Sequence, residues 1–289
     1  MRVLVTGVNG QLGHDVMERL ALLNIPAKGV DLQDFDLTDA EAVMKNVSDY
    51  APGCIVHCAA YTAVDKCEVN RELAYSVNVG GTENMARAAA AVGAKLVYIS
   101  TDYVFPGTGT DAWKTDGMVN PCNYYGQTKL AGELAVKAET ERYFIIRISW
   151  AFGVNGHNFV KTMLRLGAEK ERISVVDDQI GSPTYTHDLA KLICDMLQTD
   201  KFGTYHATNE GYCSWCEFAK KIMAASGRKA EIVPVTSAEY AVLCPTAAAR
   251  PMNSRLDKSS LDEAGFTRLP PWQDALEHYL TAIGERKDI

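Results

Sequence analysis

Met1-Arg2-Val3-Leu4-Val5-Thr6-Gly7-Val8-Asn9-Gly10-Gln11-Leu12-Gly13 joins a short β-branched and apolar run directly to a glycine-rich turn. The apolar run reads as a buried strand. The amphipathic stretch 14–23 that follows reads as a helix. Strand, glycine turn and helix in this order form a dinucleotide site. Gly7 permits the tight turn, Gly10 lets backbone approach a pyrophosphate, and Gly13 lets helix and strand pack closely. Asn9, Gln11 and Leu12 lie between the glycines and join them as candidate cofactor contacts. The same glycines would also suit a plain strand-helix connection; position and flanks favour the nucleotide reading.

A second strand over 26–30 ends at Asp31, whose carboxylate can accept hydrogen bonds from an adenosine ribose. It would repel a 2′-phosphate, and no arginine follows at Leu32-Gln33. That tilts the reading toward NADH over NADPH; Asp31 also reads as a plain loop carboxylate, and Lys28 complicates the charge balance, so NADPH or NADH stays open. Asp36-Leu37 could border the adenine; Asp36 equally suits the cap of a helix beginning near Thr38.

Strands and helices keep alternating downstream: strands over 54–60, 95–100 and 143–148, helices over 71–92 and 125–138. Such alternation implies a parallel sheet with right-handed crossovers. The expected fold is α/β, a Rossmann-like doubly wound parallel sheet with a smaller C-terminal substrate-binding lobe. Residues 1–150 would form the dinucleotide-binding domain, with return segments from the C-terminal half, and 151–289 mainly the lobe. There, the polar, turn-rich 177–184 precedes helices over 186–197 and 214–226.

The 289 residues carry an ordinary 47% apolar content and a net charge of −7, which gives no hint of nucleic-acid binding. No apolar run is long enough to span a bilayer and no signal peptide is visible, so a cytoplasmic protein is expected. The eight scattered cysteines read as reduced thiols. Cys213-Ser214-Trp215-Cys216 lacks the second ligand pair a zinc site wants. It reads as the start of a helix capped by Ser214, with Trp215 and Phe218 packing inward.

Ligands of such sheets sit beyond the carboxyl ends of the strands. Ser100 and Thr101 end the fourth strand, so their hydroxyls can reach a substrate oxygen. Tyr125 and Lys129 are four apart; on a helix both project from one face. A nearby ammonium favours a phenolate and would bring the Tyr125 pKa toward neutrality, as proton transfer requires. Alone, the spacing also fits a solvated helix face.

Together, Gly7-x-x-Gly10-x-x-Gly13, residues 100–105 and Tyr125-x-x-x-Lys129 resemble the extended short-chain dehydrogenases/reductases. Segments 58–65, 100–105, 178–184 and 250–257 narrow the resemblance to the dTDP-4-dehydrorhamnose reductase family over nearly the whole chain. That family reduces the C4 ketone of dTDP-4-dehydro-L-rhamnose with NADPH or NADH, so a nucleotide-sugar substrate is implied. The resemblance makes Tyr125 the proton donor, gives Lys129 the nicotinamide ribose, and sets Thr101 against the reacting oxygen. It places Ala59, Ala60 and Tyr61 along the cofactor, Asn78 as a support, and Asp102, Tyr103 and Trp150 at the sugar. It points Arg250 at the phosphates, against the alternative of a surface ion pair. Some members hold magnesium through a glutamate after the glycine motif, linking a dimer. Here His14 and Asp15 stand nearby, and Asp15 equally complements a helix dipole. We expect no required metal and allow a homodimer. A non-catalytic relative, such as a methionine adenosyltransferase β-type subunit, and a nucleotide-sugar epimerase or dehydratase are the alternatives.

Overall fold

A computed structural model describes residues 1–245 and 247–287. Its first half runs β1 (Val3–Thr6), α1 (Gln11–Leu22), β2 (Ala27–Val30), α2 (Ala40–Tyr50), β3 (Cys54–His57), α3 (Val64–Val69), α4 (Arg71–Tyr75), α5 (Gly81–Val92), β4 (Lys95–Thr101), α6 (Tyr124–Glu139) and β5 (Tyr143–Ile148). The remainder runs β6 (Ala151–Phe152), α7 (Phe159–Glu169), β7 (Arg172–Val176), β8 (Ile180–Gly181), β9 (Thr184–Tyr185), α8 (Thr186–Leu197), β10 (Gly203–His206), β11 (Cys213–Ser214), α9 (Trp215–Ser226), β12 (Glu231–Val235), α10 (Ser237–Leu243), β13 (Asn253–Ser254), α11 (Ser259–Glu263) and α12 (Trp272–Ala282). No helix among the described residues is long and apolar enough to cross a membrane.

Among the described residues, the main sheet has six strands in the order β2-β1-β3-β4-β5-β10. Every pair in it is parallel. The chain leaves β2 and crosses β1 to reach β3, so the order reverses between β1 and β3. Such a switch point opens a crevice at the carboxyl ends of the strands.

Period-two alternation sends successive strand residues to opposite faces. Val3, Val5, Val56, Val97, Phe144 and Ile146 pack with α1 and α8 on one face. Leu4, Ile55, Leu96, Tyr98 and Ile145 pack with α2, α5 and Val136 of α6 on the other. A third core, containing Phe152, Phe218 and Tyr279, lies outside the sheet.

The sequence-derived elements are recovered, most of them to within a residue or two at each end, and the differences that bear on the site are these. Helix α1 begins at Gln11, not 14, so Leu12 and Gly13 lie within its first turn. Strand β3 ends at His57, leaving Cys58, Ala59 and Ala60 in open backbone. The cap of α2 is Asp39, whose Oδ1 accepts from Glu41 N and Ala42 N at 3.0 Å. Asp36 instead accepts from the backbone N and hydroxyl of Thr38. The stretch 71–92 is helical throughout but contains a π turn at Ser76–Gly80. The expected cap of α9 is present: Ser214 Oγ accepts from Glu217 N at 2.9 Å, and Glu217 returns a contact to Ser214 N. Strand β10 was not foreseen.

Candidate active site

Gly7 lies at the end of β1 with φ +71°, a conformation side chains disfavour. A Cβ there would also meet Ala59 N at 2.7 Å. The two strand ends flanking the switch point therefore touch, and only glycine fits between them. A Cβ on Gly13 would run into the Gly7 carbonyl, and one on Gly10 would sit 3.2 Å from it. Helix α1 has no side-chain cap among the described residues, so its first N–H groups remain available to an anion. Asp31 reaches back to this turn, with Oδ2 accepting from Asn9 N at 2.9 Å and Oδ1 from Leu32 N at 2.8 Å.

A cavity of about 950 Å³ extends from this turn across the strand ends. It brings together Gly7, Asn9, Gly10, Gln11, Leu12, Gly13, Asp31, Asp36, Leu37, Ala59, Ala60 and Tyr61. Thr101, Asp102, Tyr103, Tyr125, Lys129 and Trp150 complete its wall. The glycine cradle, the uncapped helix end and the length of this cavity fit a dinucleotide.

Two of the expected residues lie outside that wall. Asn78 sits in the π turn, buried behind it; its Oδ1 accepts from Tyr61 N at 2.7 Å, and its Nδ2 donates to Tyr61 O and Thr128 Oγ1. Single π turns inside helices concentrate at functional sites. Arg250 donates to Asp65 Oδ1 at 2.9 Å and to Ala248 O at 2.8 Å. In this structure its guanidinium ties the 248–250 segment to α3 and lies outside the cavity.

Helix α6 is fixed at its start by Asn123, whose Oδ1 accepts from Gly126 N at 2.8 Å. Gly126 lies against the Tyr103 carbonyl, where a Cβ would not fit. Thr128 Oγ1 donates to Tyr125 O at 2.8 Å. Tyr103 meets Tyr125 edge-on, with ring centroids 5.5 Å apart. Thr101 Oγ1 accepts from Tyr103 N and donates to Asp102 Oδ1 at 2.9 Å. The other Asp102 oxygen is buried with no hydrogen-bond partner among the described residues. Burial, opposed by nearby hydroxyls, pushes the Asp102 carboxyl up to about 6.

The electrostatics differ from the sequence expectation. Burial pushes the Tyr125 phenol above its ordinary value, as does the charge of Asp102, and the Thr101 hydroxyl works only partly against them. The net shift is upward, where the sequence expectation was a shift toward neutrality. Burial lowers Lys129 itself to about 7, with Glu133 one turn along acting in the opposite direction. The Lys129 ammonium sits 4.1 Å from the centroid of the Tyr98 ring. Glu133 is held by Arg147 through two contacts of 2.8 Å and by the Ser100 hydroxyl. Ser100 thus braces the back of α6, although it also lines the cavity.

At the far end, Trp150 adopts φ +51°, an uncommon conformation for a bulky residue that concentrates at functional sites. Its ring stacks on Trp215 at 3.8 Å with an interplanar angle of 17°. The C-x-x-C segment thereby supplies an aromatic backing, with both cysteines buried. Behind the glycine turn, His14, Asp15 and Glu18 present ligand atoms within 4.8 Å of one another. Asp15 is already engaged, accepting from Thr186 Oγ1 and lying 3.4 Å from His14 Nδ1. Sequence reasoning did not single out the 153–158 loop, whose Gly156 and His157 join the wall.

A parallel doubly wound sheet, a glycine turn at its switch point and Thr101, Tyr125 and Lys129 on one wall define an extended short-chain dehydrogenase/reductase. Within that class, the chain belongs to the family described as the RmlD substrate binding domain, whose model matches residues 1–284. It is 40% identical over 279 residues to the spore coat polysaccharide biosynthesis protein SpsK of Bacillus subtilis, covering 96% of each chain. It is 36% identical over 286 residues to the dTDP-4-dehydrorhamnose reductase of Aggregatibacter actinomycetemcomitans, covering 96% of this chain and 97% of that one. The crystal structure of a dTDP-4-dehydrorhamnose reductase from Bacillus anthracis in complex with NADP superimposes with a TM-score of 0.94 at 46% identity, covering 97% of this chain and 99% of that one.

Proposed function

We propose that this chain reduces the C4 ketone of dTDP-4-dehydro-L-rhamnose to dTDP-L-rhamnose, with NADPH or NADH as reductant. The observation that carries this reading is the convergence of Thr101, Tyr125 and Lys129 on the cavity that the glycine turn opens. The relatives named dTDP-4-dehydrorhamnose reductase supply the substrate.

Gly7, Gly10, Gly13 and the start of α1 would hold the cofactor pyrophosphate, Asp31 the adenosine ribose, and Ala59 to Tyr61 the middle of the dinucleotide. The reduced nicotinamide, when bound, supplies a hydride to the carbonyl carbon. Tyr125 gives its phenolic proton to the ketone oxygen as the carbonyl electron pair moves there. The Tyr125 phenol of the free protein carries its proton at neutral pH, and a positive charge beside the developing phenolate makes giving that proton up easier. Lys129 offsets the charge left on the phenolate. Thr101 turns its O–H from Asp102 toward the same oxygen, which only requires rotation about one bond. Asp102, Tyr103 and Trp150 would contact the sugar, and residues 151–289 would mainly hold the nucleotide-sugar. We place the reaction in the cytoplasm, with a homodimer as the assembly to test by sedimentation.

The deciding experiment is NADPH and NADH oxidation with dTDP-4-dehydro-L-rhamnose, using Tyr125→Phe as control. The expected result is turnover by the natural chain and a loss of about 100- to 10,000-fold in the variant, the range a positioned general acid supplies. Cofactor binding should survive. Full activity in Tyr125→Phe would end the proton-donor role, and no turnover with any 4-keto sugar nucleotide would favour a non-catalytic relative.

A further inference from the structure

Four buried groups form a line behind the cofactor cradle. Ala59 N donates to Thr6 Oγ1 at 3.2 Å, and Thr6 Oγ1 lies 2.8 Å from His57 Nδ1. His57 Nε2 lies 3.3 Å from Thr82 Oγ1, which donates to the Asn78 carbonyl at 2.7 Å. Thr6, His57, Thr82 and Asn78 are each 1% exposed, so water cannot substitute for these partners.

The direction of the line follows from counting protons. A hydroxyl has one proton, and Thr82 gives its own to Asn78. Thr82 must therefore accept from His57, which makes Nε2 the N–H nitrogen. A neutral imidazole then has Nδ1 as a bare acceptor, and it takes the proton of Thr6. The Thr6 oxygen in turn receives the Ala59 N–H. Every donor has one acceptor, and the line runs one way from β3's end to the π turn.

We propose that His57 is a positioning residue, held in its neutral Nε2–H tautomer, that ties the strand ends of the cofactor cradle to the π turn and through it to the catalytic helix. One end of the line is Ala59, the backbone that meets Gly7. The other is Asn78, whose side chain holds both backbone groups of Tyr61 and reaches Thr128 beneath Tyr125. A shift at either end is passed along these buried contacts to the other, with Tyr98 flanking the line where it stacks on His57 and meets Thr82. A protonated ring would break the line, since Nδ1 would then donate toward Thr6 and leave the Thr6 proton without its acceptor. Such a ring would also place a cation behind Tyr98, on whose face Lys129 sits. Burial and Lys129 accordingly hold His57 far below its ordinary value, at about 3.

The test has a spectroscopic arm and a binding arm. Long-range proton–nitrogen NMR of the imidazole should show a neutral Nε2–H ring throughout the neutral range. An Nδ1–H or doubly protonated ring would overturn the proposal. Thr82 lies outside the cavity wall, so Thr82→Val removes one hydroxyl at nearly constant shape and touches no cofactor. It should disturb the tautomer, weaken NADPH binding and lower kcat, each of the latter by about five- to tenfold, as expected for one net hydrogen bond. Thr82→Ser restores the hydroxyl and should recover binding to within about twofold on the same scale. Unchanged NADPH binding in Thr82→Val, or no recovery in Thr82→Ser, would also overturn the proposal. The kcat arm rests on the reductase reading; the tautomer and NADPH binding do not, so failure to reduce the sugar would leave the role of His57 standing.

Discussion

Lys129 is a charged group kept where charge is disfavoured. Its folded pKa of about 7 lies below the ordinary 10.5. Between those values the unfolded chain binds a proton that the folded chain lacks, so stability rises with pH across that window. Below about 7 both forms are protonated and the full cost of the buried ammonium remains. Replacing Lys129 by methionine should therefore stabilise the free protein below neutrality by up to a few kcal/mol, because each tenfold loss of proton affinity corresponds to about 1.4 kcal/mol. It should also flatten the pH dependence above neutrality and abolish turnover. Chemical denaturation of both proteins across that range checks the sign; a less stable methionine variant at low pH would contradict it. The activity profile follows from the same group. The kcat/KM for NADPH should fall as pH rises past about 7, because the free enzyme's essential groups set that profile. The tyrosine-lysine spacing was legible in sequence, but not the sign of its electrostatics. Burial decides that sign, and burial of Lys129 depends on packing against Tyr98 of β4, an element apart from α6 in sequence.

At the scale of elements, α6 carries the chemistry and its approach to the sheet is set by Gly132. A Cβ at that position would collide with the Tyr98 hydroxyl and stand 2.9 Å from the Asn78 carbonyl. Gly132→Ala should cost about 1–3 kcal/mol, the usual penalty of overpacking. Because Tyr125 and Lys129 ride on the same helix, kcat should fall as well. Thermal melting and steady-state kinetics on one preparation measure both, and an unperturbed kcat would show that α6 tolerates the displacement. The neighbouring helix shows where sequence patterns stop being informative. The π turn falls on Ser76-Val77-Asn78-Val79-Gly80, a weak helix-forming stretch, but such composition does not distinguish a π turn from a helix break. The glycine turn was readable for the opposite reason: its three glycines, and the contacts of Gly10 and Gly13 with Gly7, lie within seven residues of one another.

At the scale of the molecule, the C-terminal half grips the cofactor turn directly. Gln11 Oε1 accepts from Gly153 N at 2.8 Å and from Asn158 Nδ2 at 3.0 Å. Asn155 Nδ2 donates to Asn9 O at 2.8 Å. Gln11→Ala should loosen this grip and weaken NADPH binding by about five- to tenfold, with about 1 kcal/mol lost in stability. Titration of cofactor fluorescence gives the first quantity and urea unfolding the second; unchanged affinity would mean the grip does not shape the cradle. Contacts of this kind, like Arg250 with Asp65, join residues more than a hundred positions apart. A single sequence carries no local signal for them, and the short β10 was missed for the same reason.

That last strand has a consequence for how the protein is made. Strand β10 closes the edge of β5 only after residue 206 has been synthesised. Helix α8, which covers one face of the sheet through Leu189 and Ile193, emerges only slightly earlier. At about 5–20 residues per second, a nascent chain that has reached residue 150 waits several seconds with the outer edge of β5 bare and the part of that face that α8 covers still open. Bare parallel edges and apolar faces recruit other chains. A fragment ending at residue 150 is therefore expected to aggregate on the ribosome or after release, and one extended beyond β10 to do so less.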